Sequence, residues 1–598
     1  MQVNSTGIRW AGAHQVKRTS ERRSLEQRCG LALAGFCFLV GILLPHFIVA
    51  QCSDEWIQQI SGLPSGNLAN NQPSLIIDTQ GNVIVSNGIY NATDILASGQ
   101  TFPEADAIGQ DTDFFVAKYK PDGELLWLKT INGTGFATSQ DVEADSIGNI
   151  YVSGLMSNSI TIEGVAYERL GATQLGFFIM KLSPLGSLQW FQKSDFNGSR
   201  CYSLYWTGED LAFTIPFTDS VEVDGQVYYA DAPVNPSYQD VLFGKLTANG
   251  ELLSAFRIGG SGNVDMKAMI CDESGYLLQG QFDFELTFDG TTLTTPSQEH
   301  YSLYQLAVAP DGTLLWANKS TNSSGLYVLP HSMSLTNGGK VVFSGVYDYS
   351  DFTLDGMTIG NTVERDIFIG ELNRSDGSVN WLKKAIGGQT DYTETLVSMG
   401  DNSWLGGYFY SPQIEFEGFQ LANTADGEYD GFVVSIDNDG KARCGIGVQG
   451  NGQEAVRCIQ VTEDYHLFAL VSFNNSIEFN GQTYIAQGNY DLLVIKTCLP
   501  CDTLTSIAEN LTTTTSLSIY PNPASQSMRV EATGFGSNST QLTTITITDM
   551  LGHAVLSLPF REDGGADVNI STLANGIYTL AATMQSGETL RQRLVVSR

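Results

Sequence analysis

A short turn, in which apolar residues run into an acid or amide and then glycine, returns seven times along this chain at a nearly constant interval. Its glycines are Gly99, Gly164, Gly225, Gly290, Gly356, Gly418 and Gly481, with successive gaps of 65, 61, 65, 66, 62 and 63 residues. Six copies read TIEG, EVDG, TFDG, TLDG, EFEG and EFNG, and the first, LASG, is degenerate. A period longer than a solenoid repeat, filled with strand-like alternation, implies radial repetition: one small sheet per repeat around an axis.

The second repeat shows the pattern best. QDVEAD (140–145) and GNIYVSG (148–154) read as two strands across a tight turn, followed by the SITIEGVAY hairpin, then GFFIMKL (176–182) and SLQWFQK. Period-2 alternation bounded by Gly, Asp and Pro gives four strands and one inserted hairpin per repeat. The fourth strand carries an aromatic anchor, Trp127, Trp190, Trp316 or Trp381, replaced by Ser254 and Cys444 in two repeats. A large ring at that place is expected to pack against the neighbouring sheet rather than serve a ligand. The last repeat stops after its third strand, DLLVIKT (491–497), while EWIQQISG near the start aligns Trp56 with Trp127. The N-terminal strand is therefore expected to complete the seventh sheet and close the ring, leaving no frayed edge. The fold class expected is all-β: a seven-bladed β-propeller over residues 51–501 and a smaller second unit after it.

The two ends of the chain are different material. Arg9, Lys17, Arg18, Arg22, Arg23 and Arg28 precede an apolar run from Leu31 to Ala50. Residues 1–50 read as an export signal, with a retained membrane anchor as the alternative. Without them 25 Lys and Arg stand against 62 Asp and Glu, a net charge near −37. Such a surface repels phosphates and excludes nucleic acid as a partner. Export also permits disulfides, and the alignment puts Cys498, Cys501 and Cys52 at the meeting of the two ends. A bridge from Cys52 to Cys498 or Cys501 is expected there, whereas Cys201, Cys271 and Cys458 read as buried small hydrophobes.

Residues 502–515 are polar and Thr-rich, as in a linker. Strands separated by Gly and Pro turns then fill residues 516–598, the pattern of a small immunoglobulin-like β-sandwich.

Two resemblances sharpen this outline. Asp145 with Gly148 and Asn149, Asp113 with Phe115 and Lys118, and Asp122 with Gly123 and Trp127 resemble the blade motifs of secreted bacterial seven-bladed propeller repeats. That resemblance covers about residues 54–497 and implies architecture, since the family has no common activity. The tail is similar to the type A C-terminal sorting domain of the type IX secretion system of Bacteroidetes. The matching residues are Tyr520, Pro521, Asn522 and Pro523, then Asp549, Leu551 and Gly552, then Gly576, Tyr578 and Gly587. The resemblance implies recognition by an outer-membrane translocon, and either release or surface attachment.

Catalytic patterns are thin. Beyond the leader only His300, His331, His466 and His553 remain, and HExxH and GxSxG do not occur. His331 and His466 fall on expected inner strands and read as core residues. One acid per repeat at a hairpin turn is better explained by turn geometry than by glycoside chemistry. No cofactor is implied, apart from calcium at IDNDGK (436–441), which lacks the downstream glutamate of an EF-hand. The inserted hairpins are expected to crown one mouth of the axial channel. Tyr228, Tyr229, Tyr347, Tyr349, Tyr408 and Tyr410 lie near them as candidates for stacking on sugars or peptides. The function expected is an exported binding or adhesion module. The alternatives are a carbohydrate-active hydrolase or lyase with acids at the channel mouth, and a structural surface protein.

Overall fold

The computed structural model describes residues 55–499 apart from 69–72, 104–111, 170–174, 197, 232–237, 296–300, 323–326, 350, 361, 363, 425–426 and 480. It also describes 516–596 apart from 521–523, 534–541, 549–553, 560–564, 575 and 585–588. The leader and linker, and with them Cys52, Cys501, Pro521, Asn522, Pro523, Gly552 and Gly587, lie outside the described residues.

The described residues of 55–499 form strands joined by turns and short connections, in successive runs of four antiparallel strands. Five runs are separate sheets, such as Leu188–Lys193, Gly176–Leu182, Ile150–Met156 and Ala137–Ala144 in spatial order. Two more runs share one larger sheet. In it Trp56–Asn67 pairs with Asp491–Cys498 on one side and Val83–Ala97 on the other. Trp56 sits opposite Lys496 and Ile60 opposite Leu492, so the first described strand serves as the fourth strand of the last run.

The innermost strands of the runs are Ser74–Ile77, Ala137–Ala144, Ser203–Trp206, Val264–Asp272, Val328–Leu335, Asp391–Met399 and Glu454–Val461. Each lies against the next, and the last lies against the first. There Cys458 Sγ and Gln460 Nε2 each reach Leu75 O at 3.5 Å. All seven line one cavity of 390 Å³. The apolar cores lie between neighbouring runs: Ile84, Phe114 and Val116 pack with Val152, Phe178 and Met180 of the next.

Indoles tie the runs together in series. Trp127 Nε1 donates to Pro184 O at 3.1 Å, Trp190 to Ala248 O at 3.0 Å, Trp316 to Arg374 O at 3.1 Å and Trp381 to Asn438 O at 3.0 Å. Each acceptor is in the turn before the fourth strand of the following run. Trp56 repeats the contact across the junction, donating to Pro121 O at 2.9 Å. A glycine in each receiving turn lets the ring approach: a Cβ on Gly440 would stand 2.7 Å from Trp381, and one on Gly123 2.7 Å from Trp56. Lys118 explains another repeated residue. It pairs with Asp78 at 2.9 Å, both side chains almost fully buried (3% and 0% exposed), and so pins the first inner turn to the third strand.

The acid–glycine turns are the tips of the inserted hairpins. Asp224 and Gly225 have φ of 49° and 74°, Asp289 and Gly290 47° and 74°, Asp355 and Gly356 48° and 76°. Two successive left-handed residues make the type I′ turn that suits a two-residue hairpin. The acid has a second task, because its carboxylate accepts the amide of the nearby fourth strand. Asp224 takes Leu252 N at 2.9 Å, Asp289 takes Leu314 N at 2.9 Å and Asp355 takes Val379 N at 3.0 Å.

This corrects the expected crown of hairpins. The fourth strand is the outermost of each run, and the hairpins attach to it and to the fourth strand of the preceding run. Asn132 pairs with Thr161, and the bridges Gly259–Thr287, Ile386–Glu415 and Gly450–Ile477 repeat that contact. Backbone hydrogen bonding to an exposed sheet edge draws them outward, where they cover edges rather than rim the channel.

The tail has its own core. Ser516–Tyr520, Ser527–Thr533 and Gly565–Asn569 form one antiparallel sheet. Ala554–Pro559, Leu542–Thr548, Gly576–Met584 and Thr589–Val596 form another. Met528, Val530, Ile545, Ile547, Val568, Leu580 and Leu594 are buried together from both sheets.

Candidate functional site at the channel mouth

Five of the seven innermost strands carry a β-bulge at the same step. The register skips Gln140 between Ser139 and Asp141, Lys267 between Met266 and Ala268, and His331 between Pro330 and Ser332. It skips Glu394 between Thr393 and Thr395, and Arg457 between Val456 and Cys458. A bulge adds one unpaired residue and re-aims its side chain. Every residue so treated is polar. The last four stand 64, 63 and 63 residues apart, the period of the repeat itself.

Three of these side chains, Lys267, Glu394 and Arg457, join an aromatic belt. Lys267 Nζ lies 5.3 Å from the centre of the Tyr202 ring and 2.8 Å from Asp265. Arg365 Cζ lies 5.0 Å from the Tyr327 ring and 5.4 Å from the Tyr392 ring, and its Nη1 donates to Tyr392 Oη at 2.6 Å. Tyr392 stacks on Tyr408 at 5.0 Å, and Tyr408 meets Tyr429 at 4.6 Å. Arg457 stands 5.4 Å from the Tyr408 ring and donates to Glu394 at 3.1 Å and Ser472 at 2.9 Å. Residues from five consecutive runs thus meet at the end of the axial channel where the innermost strands begin.

Below the belt lies the 390 Å³ cavity, whose lining includes Lys267, His331, Asp141, Glu143 and Tyr205. Asp141 accepts from Ser74 Oγ at 2.9 Å and from Leu204 N at 2.9 Å, yet burial still pushes its carboxyl up to about 6. Burial, and then the charge of Asp141, hold Glu143 well above the usual carboxyl range. Burial pushes the His331 imidazole down to about 3, helped by Lys267 and Arg365, so it is neutral at physiological pH.

A second carboxyl pair sits at the start of the last innermost strand. Glu454 and Asp430 are both fully buried, and burial, then the neighbouring Asp430, lifts Glu454 to about 8. Burial raises Asp430 as well, and Glu428 adds to the negative charge around Glu454. The folded chain therefore holds a proton that the unfolded chain releases above about pH 4.3. The stabilisation from that proton is complete below this value and is lost as pH rises through about 8. Glu454→Gln is expected to flatten the decline in melting temperature between about pH 5 and pH 8.5. Equal slopes for variant and parent in a thermal-shift series would refute the shared proton.

The tyrosines chosen from sequence divide. Tyr408 belongs to the belt, and Tyr410 lies beside it, 5.0 Å from Tyr429. Tyr347 is 1% exposed, packs in the core on Phe352 and Phe368, and donates to Gly360 O at 2.8 Å. Tyr228 and Tyr229 are on an outer hairpin, the first half-buried and the second 69% exposed. Tyr349 is 51% exposed and donates to Glu364. Tyr202, Tyr327, Tyr392, Lys267, Arg365, Glu394 and Arg457 were not singled out by sequence. Their signal is a column of differing polar residues at one phase of the repeat, which no shared motif marks. Asp437 of the calcium-like loop accepts Asp439 N at 3.0 Å and Lys441 N at 2.8 Å and pairs with Arg443 at 2.5 Å, so its carboxylate closes a turn. Among the described residues no three His, Cys, Asp or Glu side chains form a metal-binding group.

Comparison with known proteins adds the following. A WD repeat-containing protein of Acanthamoeba polyphaga mimivirus is 23% identical over 437 residues, 60% of this chain. The match spans only 31% of that protein, about a third of its length. The phage phi92 endosialidase aligns over 91% of this chain and 87% of its own at 9% identity, with a TM-score of 0.35. An ACO/RPE65 chimera aligns over 75% of this chain and 94% of its own at 10% identity, with a TM-score of 0.32. Likenesses at that level leave the fold to rest on this chain's own strands. Residues 518–597 match the secretion system C-terminal sorting domain family, within which Tyr578 is buried and donates to Ala574 O at 2.9 Å. The chain thus ends in a type IX sorting domain and is an exported protein, secreted or held at the cell surface.

Proposed function

We propose that residues 51–501 form a closed seven-bladed β-propeller that binds or adheres to an extracellular ligand through its channel mouth. An immunoglobulin-like sorting sandwich at 516–598 carries it out through the type IX machinery, as in Bacteroidetes. The single observation behind the site is the set of bulges in register, which present Gln140, Lys267, His331, Glu394 and Arg457 around one axis. Repeated bulges cost ladder hydrogen bonds, and a purely structural ring has no need of them. The similarity to a WD repeat-containing protein supports a propeller, the architecture of such repeats.

The test is an array of immobilised glycans and matrix proteins probed with the mature chain, Arg457→Ala and Tyr392→Ala. Binding that both substitutions weaken is expected. Equal binding by all three proteins would move the site elsewhere, and no binding at all would favour a structural surface protein.

A hydrolase or lyase reading is favoured by one feature, the elevated carboxyls of Asp141 and Glu143 in the cavity. Polysaccharide cleavage that Asp141→Asn abolishes would establish it.

The seam carries a proposal of its own. Cys444 and Cys498 are both disulfide-bonded, while Cys201, Cys271 and Cys458 are free. Cys444 faces Ser435 as Trp381 faces Glu371, so it occupies the indole anchor's place in the sixth blade. Cys501 follows Thr497 by the spacing that separates Gly440 from Ile436. The position touched by an indole elsewhere is thus cysteine on both sides here. We assign Cys444 to Cys501 and Cys498 to Cys52.

A further inference from the structure

The cations at the mouth are matched one for one with acids. Lys267 lies 2.8 Å from Asp265, Arg365 lies 3.3 Å from Asp348 and Arg457 lies 3.1 Å from Glu394. The pairs are nonetheless within reach of solvent, since Lys267 and Arg365 are each 25% exposed and Glu394 is 24% exposed. The belt is therefore close to neutral, and it sits on a chain whose formal charge is −33. An anionic ligand would need positive charge that is not already compensated, and the surrounding field would oppose its approach.

We infer that the mouth takes the end of a neutral oligosaccharide, a ligand rich in hydroxyls and without carboxylate, sulfate or phosphate. This rests on reading the mouth as the ligand site. A sugar hydroxyl both donates and accepts, so a fixed guanidinium beside a fixed carboxylate offers complementary partners to two adjacent hydroxyls. The half-buried tyrosines supply the apolar surface on which the C–H face of a pyranose packs. Tyr392 is well placed for this, since Arg365 fixes its hydroxyl and Tyr408 backs its ring.

The cavity beneath adds an unmet polar group and a size limit. His331 Nε2 is shielded from solvent and has no hydrogen-bond partner among the described residues, although His331 lines the cavity. A buried nitrogen without a partner is uncommon, and a ligand hydroxyl would satisfy it once a small movement of the imidazole turned it to the cavity. A volume of 390 Å³ lies at the small end of ligand pockets, roughly 300–1,000 Å³. It suits the terminal residues of a chain entering along the axis. Recognition is thus of glycan ends, with the following residues lying over the tyrosines.

The experiment is calorimetric titration of the mature protein with neutral hexasaccharides of the cellulose, laminarin, mannan and xylan types. Oligogalacturonate, a heparin hexasaccharide and a collagen peptide complete the set. At least one neutral series is expected to bind with an affinity that about 0.5 M salt leaves unchanged. Arg457→Met and Tyr392→Ala should weaken it roughly three- to tenfold, the scale of one aromatic or polar contact. Tyr392→Phe, which keeps the ring, should weaken it less, and Tyr229→Ala on an outer hairpin should leave it unaltered. Melting curves of each variant separate lost binding from lost folding. Binding of an anionic glycan or the peptide that the mouth variants abolish would overturn the neutral-glycan inference while keeping the mouth as the ligand site. Neutral-glycan binding that only Tyr229→Ala disturbs would overturn both.

Discussion

Removing residues 516–598 should leave a folded propeller that stays in the periplasm. The seven apolar clusters of the ring draw every residue from the span Trp56–Leu499, and the tail's cluster draws only on Ala524–Val596. Among the described residues the ring clusters and the tail cluster share no member, so deletion leaves the ring's described core intact and its melting transition should persist. The sorting match lies wholly within the deleted segment, so export should fail completely. Fractionating cells that express the full and shortened chains checks both parts at once. Shortened chain recovered outside the cell would refute the sorting role. Shortened chain that is absent or degraded everywhere would show that the two cores depend on each other. A milder variant, Tyr578→Ala, removes a buried side chain and its bond to Ala574 O, and should reduce export by unfolding the tail alone.

The architecture was legible in sequence because its causes are local and repeated. A type I′ turn needs two left-handed residues, and acid–glycine pairs advertise that requirement at Glu163, Asp224, Asp289 and Asp355. The indole anchors were visible for the same reason, since a tryptophan at one phase of five of the seven repeats has one neighbour to meet. Even the junction could be read, because a missing fourth strand at one end and a spare one at the other leave few arrangements. The site was not legible in this way. Lys267, His331, Glu394 and Arg457 share a position but no chemistry, and a bulge has no sequence signature here. Tyr392 and Tyr327 open inner strands, where aromatic residues ordinarily mean core. The hairpins misled for a physical reason: a connection that leaves a sheet at the mouth can fold back along the outer edge if that edge offers unpaired backbone groups. Tyr228 and Tyr229 went outward with it.

The junction where the first strand completes the last sheet is where this ring should break. Trp56→Ala removes an indole bonded to Pro121 O at 2.9 Å, packed 6.2 Å from both Tyr119 and Phe468. Large-to-small substitutions of this kind cost about 3–5 kcal/mol, and the half-buried Trp56 belongs at the lower end. The backbone ladder from Trp56 to Ile60 and the bonds from Gln59 and Ser61 to Asp491, at 2.7 and 2.6 Å, would still hold the strand. A covalent clasp would mask part of the damage. In the chain-entropy model, cross-links that close loops of these lengths contribute about 4 kcal/mol for Cys444 to Cys501 and about 6 kcal/mol for Cys52 to Cys498. Trp56→Ala should therefore lower the melting temperature modestly in oxidising buffer and much further after reduction. Trp316→Ala, at an interior blade boundary, should lose the same amount under either condition. Peptide mapping without reductant should recover Cys52 with Cys498 and Cys444 with Cys501. Free thiols at Cys444 and Cys498, or a Trp56→Ala protein indifferent to reductant, would mean that backbone pairing and side-chain packing close the ring unaided. The comparison separates two ways of sealing a circle of sheets: continuous strand pairing, which any strong edge can form, and a cross-link placed where five other boundaries set tryptophan against glycine.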